Sequence, residues 1–230
     1  MLVLASASPR RRELLTQAGF SFVVHPAHIC EDPFSGEDPI AYVTRLALEK
    51  AQAVFDEITK DRTGAPGPDF GTGEEMNSGR QSLTGAPGPV FGTGEEMISG
   101  HQSLAVLGAD TTVFLDHHIL GKPEDAADAA RMLRLLSDRT HRVATGIALV
   151  SALTSQAVVE VTEVEFLPLT DTEIAAYIAT GEPMDKAGAY AIQGLAARWI
   201  PRIQGCYFNV VGLPIARVAA LLATLRQPSY

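Results

Sequence analysis

Cysteine is nearly absent from this chain: two in 230 residues, Cys30 and Cys206, far apart and without C-x-x-C spacing. That excludes a disulfide-stapled scaffold, and both are expected as free thiols in a reducing compartment, the cytoplasm. Long apolar runs are missing as well. The most apolar stretch, Val210 to Leu225, is interrupted by Gly212, Pro214 and Arg217, short of the ~20 residues that span a bilayer. No membrane partner is expected, and the arginines from Arg10 onward do not suit a signal peptide. Nor is there a basic excess: 18 Lys and Arg against 27 Asp and Glu leave a net charge of −9. General affinity for a nucleic-acid backbone needs a basic face, so nucleic acid is not an expected partner. A small anion responds to local cations instead and is not excluded. The histidines, His117-His118 included, lack metal-ligand spacing, so zinc is not expected.

What remains is an ordinary globular composition, 46% apolar and 20% charged, in a chain long enough for one substantial domain or two lobes around a cleft. Its strongest internal pattern is a tandem duplication. Residues 63–83 and 84–104 differ only at Asp69/Val90, Asn77/Ile98 and Arg80/His101. Both copies are rich in Gly, Pro, Ser and Glu and lack apolar periodicity, so residues 63–104 read as a flexible insertion in a single domain spanning 1–230. Two copies are too few for a solenoid. The string Gly-Thr-Gly-Glu-Glu lacks the ending of a phosphate loop.

Around the insertion, strands and helices alternate. Strands are expected at Leu2–Ala5, Phe20–Val24 and Ala105–Ala109, with His141–Val150 and Ala157–Phe166 paired antiparallel. Helices are expected at Pro9–Ala18, Pro39–Phe55 and Glu124–Leu136, the last with Ala129, Met132, Leu133 and Leu136 on one face. Thr170-Asp-Thr-Glu173 is a capping box opening a helix to about Ala179. A final helix after Pro214 is expected to bury Ile215, Val218, Leu222 and Leu225. The class is α/β: a mixed central sheet flanked by helices.

The segment Leu4-Ala-Ser-Ala-Ser-Pro-Arg-Arg-Arg12 carries the clearest chemistry. Ser8 suits the cap and Pro9 the first position of the helix. The free N–H groups and the partial positive charge at that end favour an anion, and Arg10, Arg11 and Arg12 add cations. A nucleoside polyphosphate fits this pattern. Asp110 ends an apolar run, where ligands of open α/β sheets bind, and Gly108 and Ala109 are expected to let a ligand approach the backbone. Lys122, between Gly121 and Pro123, is a candidate phosphate contact. Asp185 and Lys186, set in Glu182-Pro-Met-Asp-Lys-Ala-Gly-Ala-Tyr190, read as part of a site wall. Tyr207 and Asn209 fall at a turn before the last helix. His141 reads as structural rather than catalytic.

In order along the chain, LASASPRRRELL, RLALEKA at Arg45–Ala51, GADTTV, LGKP, the stretch from Ser137 to Gly146, EPMDKAGAYAIQG and NVVGLP resemble the Maf family of nucleoside triphosphate pyrophosphatases, once called septum formation proteins. The 60-position separation of Lys50 from Asp110 shortens to 18 without the two 21-residue copies, about what the family pattern suggests. The resemblance implies a fold of two lobes around a cleft, related to inosine triphosphate pyrophosphatases. It also implies hydrolysis of a nucleoside triphosphate to monophosphate and pyrophosphate with Mg²⁺ or Mn²⁺, and suggests a homodimer. Asp110 matches the catalytic proton acceptor, Glu31 a second cleft acid, and Lys50 and Lys122 the lysines. Arg10, Thr111 and Gln193 match the specificity positions, and with DKAGAYAIQG they resemble the subgroup acting on dTTP and UTP. Ser6 and Arg11 fall in the same substrate-binding motif as Arg10. Glu31 and Asp110 are the candidate metal ligands, an assignment in tension with Asp110 as general base. The Gln193 amide can read the O4 and N3–H edge of uracil or thymine. Two alternatives remain at this point: a nucleotide-binding regulator of septum formation that needs no turnover, and a 7-methyl-GTP-type pyrophosphatase.

Overall fold

A computed structural model describes residues 1–64 and 104–225 of the chain. Apart from its first two residues and Leu104, the duplicated segment, with its expected flexibility, lies outside the described residues. The elements run β1 (Leu2–Leu4), α1 (Pro9–Gln17), β2 (Val23–Val24), α2 (Pro39–Gly64), β3 (Ala105–Leu115), β4 (His118–Leu120), α3 (Ala126–Leu136), β5 (Thr140–Ser151), β6 (Ser155–Glu165), α4 (Asp171–Ala179), β7 (Arg202–Gln204), α5 (Tyr207–Val211) and α6 (Ile215–Thr224). Three 3₁₀ turns, at Glu182–Asp185, Ala187–Ala189 and Leu195–Trp199, connect α4 to β7.

The seven strands form one mixed sheet in the order β2-β1-β3-β5-β6-β7, with β4 paired to β3. β1 is parallel to both of its neighbours, and the remaining pairs are antiparallel. β3 is the pivot. On one side it pairs with β5 from Ala105 to Phe114. On the other it meets β1 only over Ala105–Leu107 and β4 only over Val113–Leu115. Between them, Gly108–Thr112 have no strand partner on that side among the described residues. The sheet opens there, with Asp110 at the middle of the gap.

α3 buries the face its periodicity predicts, Ala129, Met132, Leu133 and Leu136, each large apolar side chain contributing roughly 1.5–3 kcal/mol. α4 has the expected capping box, Thr170 and Glu173 bonding each other's backbone N–H. Other expectations need correction. β3 continues to Leu115, because Thr111 to Phe114 keeps a β-branched and aromatic pattern that pairs with β5, and Leu115 pairs with His118 of β4. α2 continues to Gly64, since no breaker follows Phe55. β2 shrinks to two exposed residues, while Phe20 and Phe22 turn inward against the core beside α1. α6 buries Val218 and Leu221. Ile215 and Leu222 are only half-buried and Leu225 is exposed, because the helix ends at Thr224.

Gly108 makes room for a helix. A Cβ there would lie 2.1 Å from the Ala47 carbonyl oxygen, and one at Gly146 would lie 2.3 Å from that of Val43. The two glycines let α2 lie directly on β3 and β5. Gly108→Ala is expected to push the helix off the sheet and cost roughly 1–3 kcal/mol, read as a lower urea midpoint at unchanged slope. An unchanged midpoint would contradict this packing.

Candidate active site

The gap in the sheet opens into a cleft of about 1020 Å³, lined from one side by Ala5–Arg11, the loop from Pro26 to Pro33, Lys50 and Asp110, and from the other by Lys122, Asp185, Lys186 and Ala191–Gln193. That volume is at the upper end for small-ligand pockets. At its floor the Lys50 ammonium bridges two carboxylates, 2.7 Å from Asp110 Oδ1 and 2.8 Å from Glu31 Oε1. Lys50 and Asp110 are buried and Glu31 is half-exposed. Burial pushes the Asp110 carboxyl above the usual aspartate range. Lys50 and Arg11 pull it back only in part, and the Glu31 charge adds to the rise.

The arginines of α1 separate into three roles. Ser8 caps the helix and Pro9 occupies its first turn, as expected. Arg11 turns inward, where Nε donates to the Gly212 carbonyl at 2.9 Å, Nη1 to Ser6 Oγ at 3.1 Å and to the Ala109 carbonyl at 2.9 Å, and Nη2 to Thr111 Oγ1 at 3.1 Å. It thereby satisfies the Ala109 carbonyl on the strand edge that β1 leaves bare. Burial lowers the Arg11 pKa, and the charges of Asp110 and Glu31 oppose that fall. Arg10 stays at the cleft wall, its Nη1 3.8 Å from Asp185 Oδ2. Arg12 is exposed. Ser6 is buried and accepts from the Ser8 N–H as well as from Arg11.

Thr111 Oγ1 is also 2.9 Å from Thr145 Oγ1, and Thr145 donates to the Asn209 carbonyl at 3.0 Å. Asn209 Nδ2 in turn donates to the Val143 carbonyl and Thr162 Oγ1. Asn209 is therefore a buried brace and not a cleft residue, while Tyr207 is exposed. On the opposite wall, Asp185 pairs with Lys186 and faces Arg10. Partial burial pushes its carboxyl up, but the two cations prevail and hold it below the ordinary value. Lys122 and Gln193 are exposed at the rim. His141 is structural, as expected: burial lowers its pKa to about 3, and Nε2 sits 2.8 Å from the Tyr190 hydroxyl.

The Maf-like protein family matches residues 1–225. The chain belongs to that family. Its relatives include proteins named dTTP/UTP pyrophosphatase. The one from Koribacter versatilis (strain Ellin345) is 44% identical over 221 residues, covering 96% of this chain and 92% of the relative. The one from Citrifermentans bemidjiense is 45% identical over 226 residues (97% and 95%), and that from Moorella thermoacetica 43% over 224 residues (96% and 93%).

In this Maf-like chain no cluster of three or more His, Cys, Asp or Glu poised for a metal occurs among the described residues. Glu31 and Asp110 nonetheless converge on a single cation, Lys50. Two hard oxygen donors suit an ion that takes the rest of its shell from water and phosphate, the ordinary habit of Mg²⁺. The two cysteines are free, as expected, and no helix of the described residues is long and apolar enough to cross a membrane. Sequence reading gave no role to Tyr42, whose hydroxyl donates to the Glu31 carbonyl at 2.8 Å. Its pKa is pushed up to about 12, first by burial and then by Asp110 and Glu31. The available signal was its helical spacing from Arg45, Glu49 and Lys50.

Arg11→Ala is expected to cost roughly 1.5–3 kcal/mol or more, because it removes charged hydrogen bonds, among them the side-chain donor to the Ala109 carbonyl. Arg12→Ala is expected within about 0.5 kcal/mol of wild type. Equal urea midpoints for the two variants would contradict the separate roles of these arginines.

Proposed function

We propose that this chain hydrolyses dTTP and UTP to the monophosphate and pyrophosphate, cutting between the α- and β-phosphates. The observation that carries the reading is a buried carboxylate, Asp110, at the floor of a cleft whose walls present Lys50, Arg10, Lys122 and Lys186. The names of relatives sharing more than two-fifths of the sequence support it. The proposal extends to a soluble cytoplasmic enzyme that clears nucleotide pools, to modified pyrimidine nucleotides as further substrates, to a role in arresting cell division, and to a homodimer.

The triphosphate enters with its charge directed at Arg10, Lys122 and Lys186, which neutralise oxygens that gain charge at the transition state. Asp110 accepts a proton from the attacking water as its oxygen bonds to the α-phosphorus. The bond from that phosphorus to the bridging oxygen breaks, and pyrophosphate leaves with the bond pair. Lys50 holds Asp110 and Glu31 at the reacting face. Ser6 and Arg11 shape the phosphate-facing turn, Arg11 by positioning Ser6 and Thr111. A divalent cation, Mg²⁺ or Mn²⁺, held by Glu31 and Asp110, supplies further charge neutralisation at the phosphates when bound. Thr111, half-buried beside Asp110, and the Gln193 amide at the rim set base choice, Gln193 through the O4 and N3–H edge of uracil or thymine.

Purified protein with Mg²⁺ or Mn²⁺ should release pyrophosphate from dTTP and UTP in preference to GTP and 7-methyl-GTP, and Gln193→Ala should narrow that preference. No release from any nucleotide would refute the enzyme reading. Asp110→Asn should lower turnover by roughly 10²–10⁴-fold, and surviving turnover would refute the role of Asp110. A base works ionised, and burial raises the Asp110 pKa. Titrated without divalent metal, the Asp110 carboxyl should therefore lose its proton above the ordinary aspartate range. A midpoint at or below that of an exposed aspartate would contradict that environment.

A further inference from the structure

The wall of the cleft that carries Glu31 has no secondary structure of its own. From His25 to Phe34 the chain is irregular, and a turn at Ser35-Gly36 then leads into α2. A segment of this kind would ordinarily sample many conformations, yet Glu31 reaches a buried lysine at 2.8 Å. The contacts that restrain it come largely from one stripe of α2. Tyr42 takes the Glu31 carbonyl. Arg45 does more. Its Nε and Nη2 each lie 2.7 Å from the two Glu37 carboxylate oxygens, and Nη2 also donates to the Asp32 carbonyl at 3.2 Å. Its guanidinium carbon stacks 4.0 Å from the centre of the Phe34 ring. Glu49, one turn on, holds Nη1 from the far side at 3.3 Å. Glu37 closes the loop on itself by accepting the Phe34 N–H at 2.9 Å.

These contacts are specific to arginine. A bidentate carboxylate grip, a backbone carbonyl and a stacked ring together need a planar fork with five donors, which a lysine does not have. The side chain is only about one-fifth exposed, so the pair escapes the full solvent screening of a surface ion pair. Arg45 touches neither Asp110 nor any cleft cation. It lies five residues before Lys50 on the same helix, so α2 presents the lysine and restrains the carboxylate that the lysine meets.

We propose that Arg45 is a positioning residue for the reaction: it clamps residues 31–37 onto α2 and so holds Glu31 at Lys50 and Asp110. The proposal rests on the reading of Glu31 as a working carboxylate of the cleft. It differs from a general stabilising role in predicting local loosening and an effect routed through Glu31. Holding groups behind a ligand-binding carboxylate are worth roughly 10- to 100-fold in activity in comparable sites.

The test uses the full-length protein and the variants Arg45→Ala, Arg45→Lys and Glu37→Gln. Backbone hydrogen exchange should speed up over residues 26–37 in all three, while residues 105–115 and 140–151 keep wild-type protection. An unchanged 26–37 segment, or a sheet that loosens along with it, would overturn the clamp. In turnover of dTTP with Mg²⁺, Arg45→Ala should lose roughly 10- to 100-fold in kcat/KM, and Arg45→Lys should not restore it. The Arg45→Ala/Glu31→Gln double variant should be no slower than Glu31→Gln alone. Losses that multiply, or a Glu31→Gln variant as active as wild type, would overturn action through Glu31. A wild-type protein inert toward every nucleotide would sink the proposed reaction, while the exchange result would still decide the clamp.

Discussion

The close seating of α2 on the sheet is the constraint on which the site depends. Two glycines, Gly108 on β3 and Gly146 on β5, leave no side chain where the carbonyls of Ala47 and Val43 pass. With small residues at Ala47 and Ala51 on the helix, the backbone of α2 comes within van der Waals distance of both strands. Lys50 lies between those alanines in the helix and reaches Asp110, two residues beyond Gly108 on β3. A helix set farther out would leave a buried carboxylate without its cation, an arrangement costing several kcal/mol. The geometry of the cleft floor is thus a consequence of packing, and the packing is a consequence of what is missing from two positions.

The same economy of position explains why β3 is both structural and chemical. Its N-terminal residues pair with β1 and its C-terminal residues with β4. The interval between needs other partners for its backbone, since buried polar groups left unpaired are costly. Arg11 supplies one by donating to the Ala109 carbonyl, and its remaining donors tie the first and last segments of the cleft, Ser6 and Gly212, to that strand. An arginine suits this place because a single rigid fork meets four acceptors on three segments.

Much of this was legible in the sequence, and what was not has a common cause. The amphipathic face of α3, the capping box at Thr170 and the antiparallel pairing of β5 with β6 are local patterns, written within a dozen residues or across one hairpin. The Ser6–Arg12 turn was legible because a helix start imposes chemistry locally, whereas Asp110 was picked out as the end of a strand and in fact lies within β3, where the pairing with β1 has stopped and that with β4 has not begun. Gly108 was read toward a ligand because its real neighbour, Ala47, lies 61 positions earlier across the duplicated segment. From the residues alone Arg10, Arg11 and Arg12 were alike, and only the family resemblance set Arg10 apart, because their roles depend on the phase of α1 relative to β3, which no spacing along the chain encodes. Arg45 stood in a quoted motif, but its partners Asp32, Phe34 and Glu37 carry no periodicity that would mark them as a clamped loop. The burial of α6 was misphased for a similar reason, since its inward face falls at Val218 and Leu221 and the helix ends before Leu225.

Charge pairing gives the last link between fold and reaction. A chain with a net charge of −9 is proposed to bind one of the most highly charged small anions in the cell, and its cleft cations are not idle before it arrives. Lys50 is held by Glu31 and Asp110, and Lys186 and Arg10 share Asp185. Each internal carboxylate keeps a cation aimed into the cleft and limits the cost of leaving it partly dehydrated without ligand. The same carboxylates compete with phosphate, so a triphosphate gains only the difference between its own contacts and those it displaces. Such a site binds its ground state modestly and gains most where charge grows on the phosphate oxygens, which is where binding energy accelerates a reaction. The acidic residues that look unsuited to a polyanion are, on this argument, what directs the arginines and lysines toward the transition state.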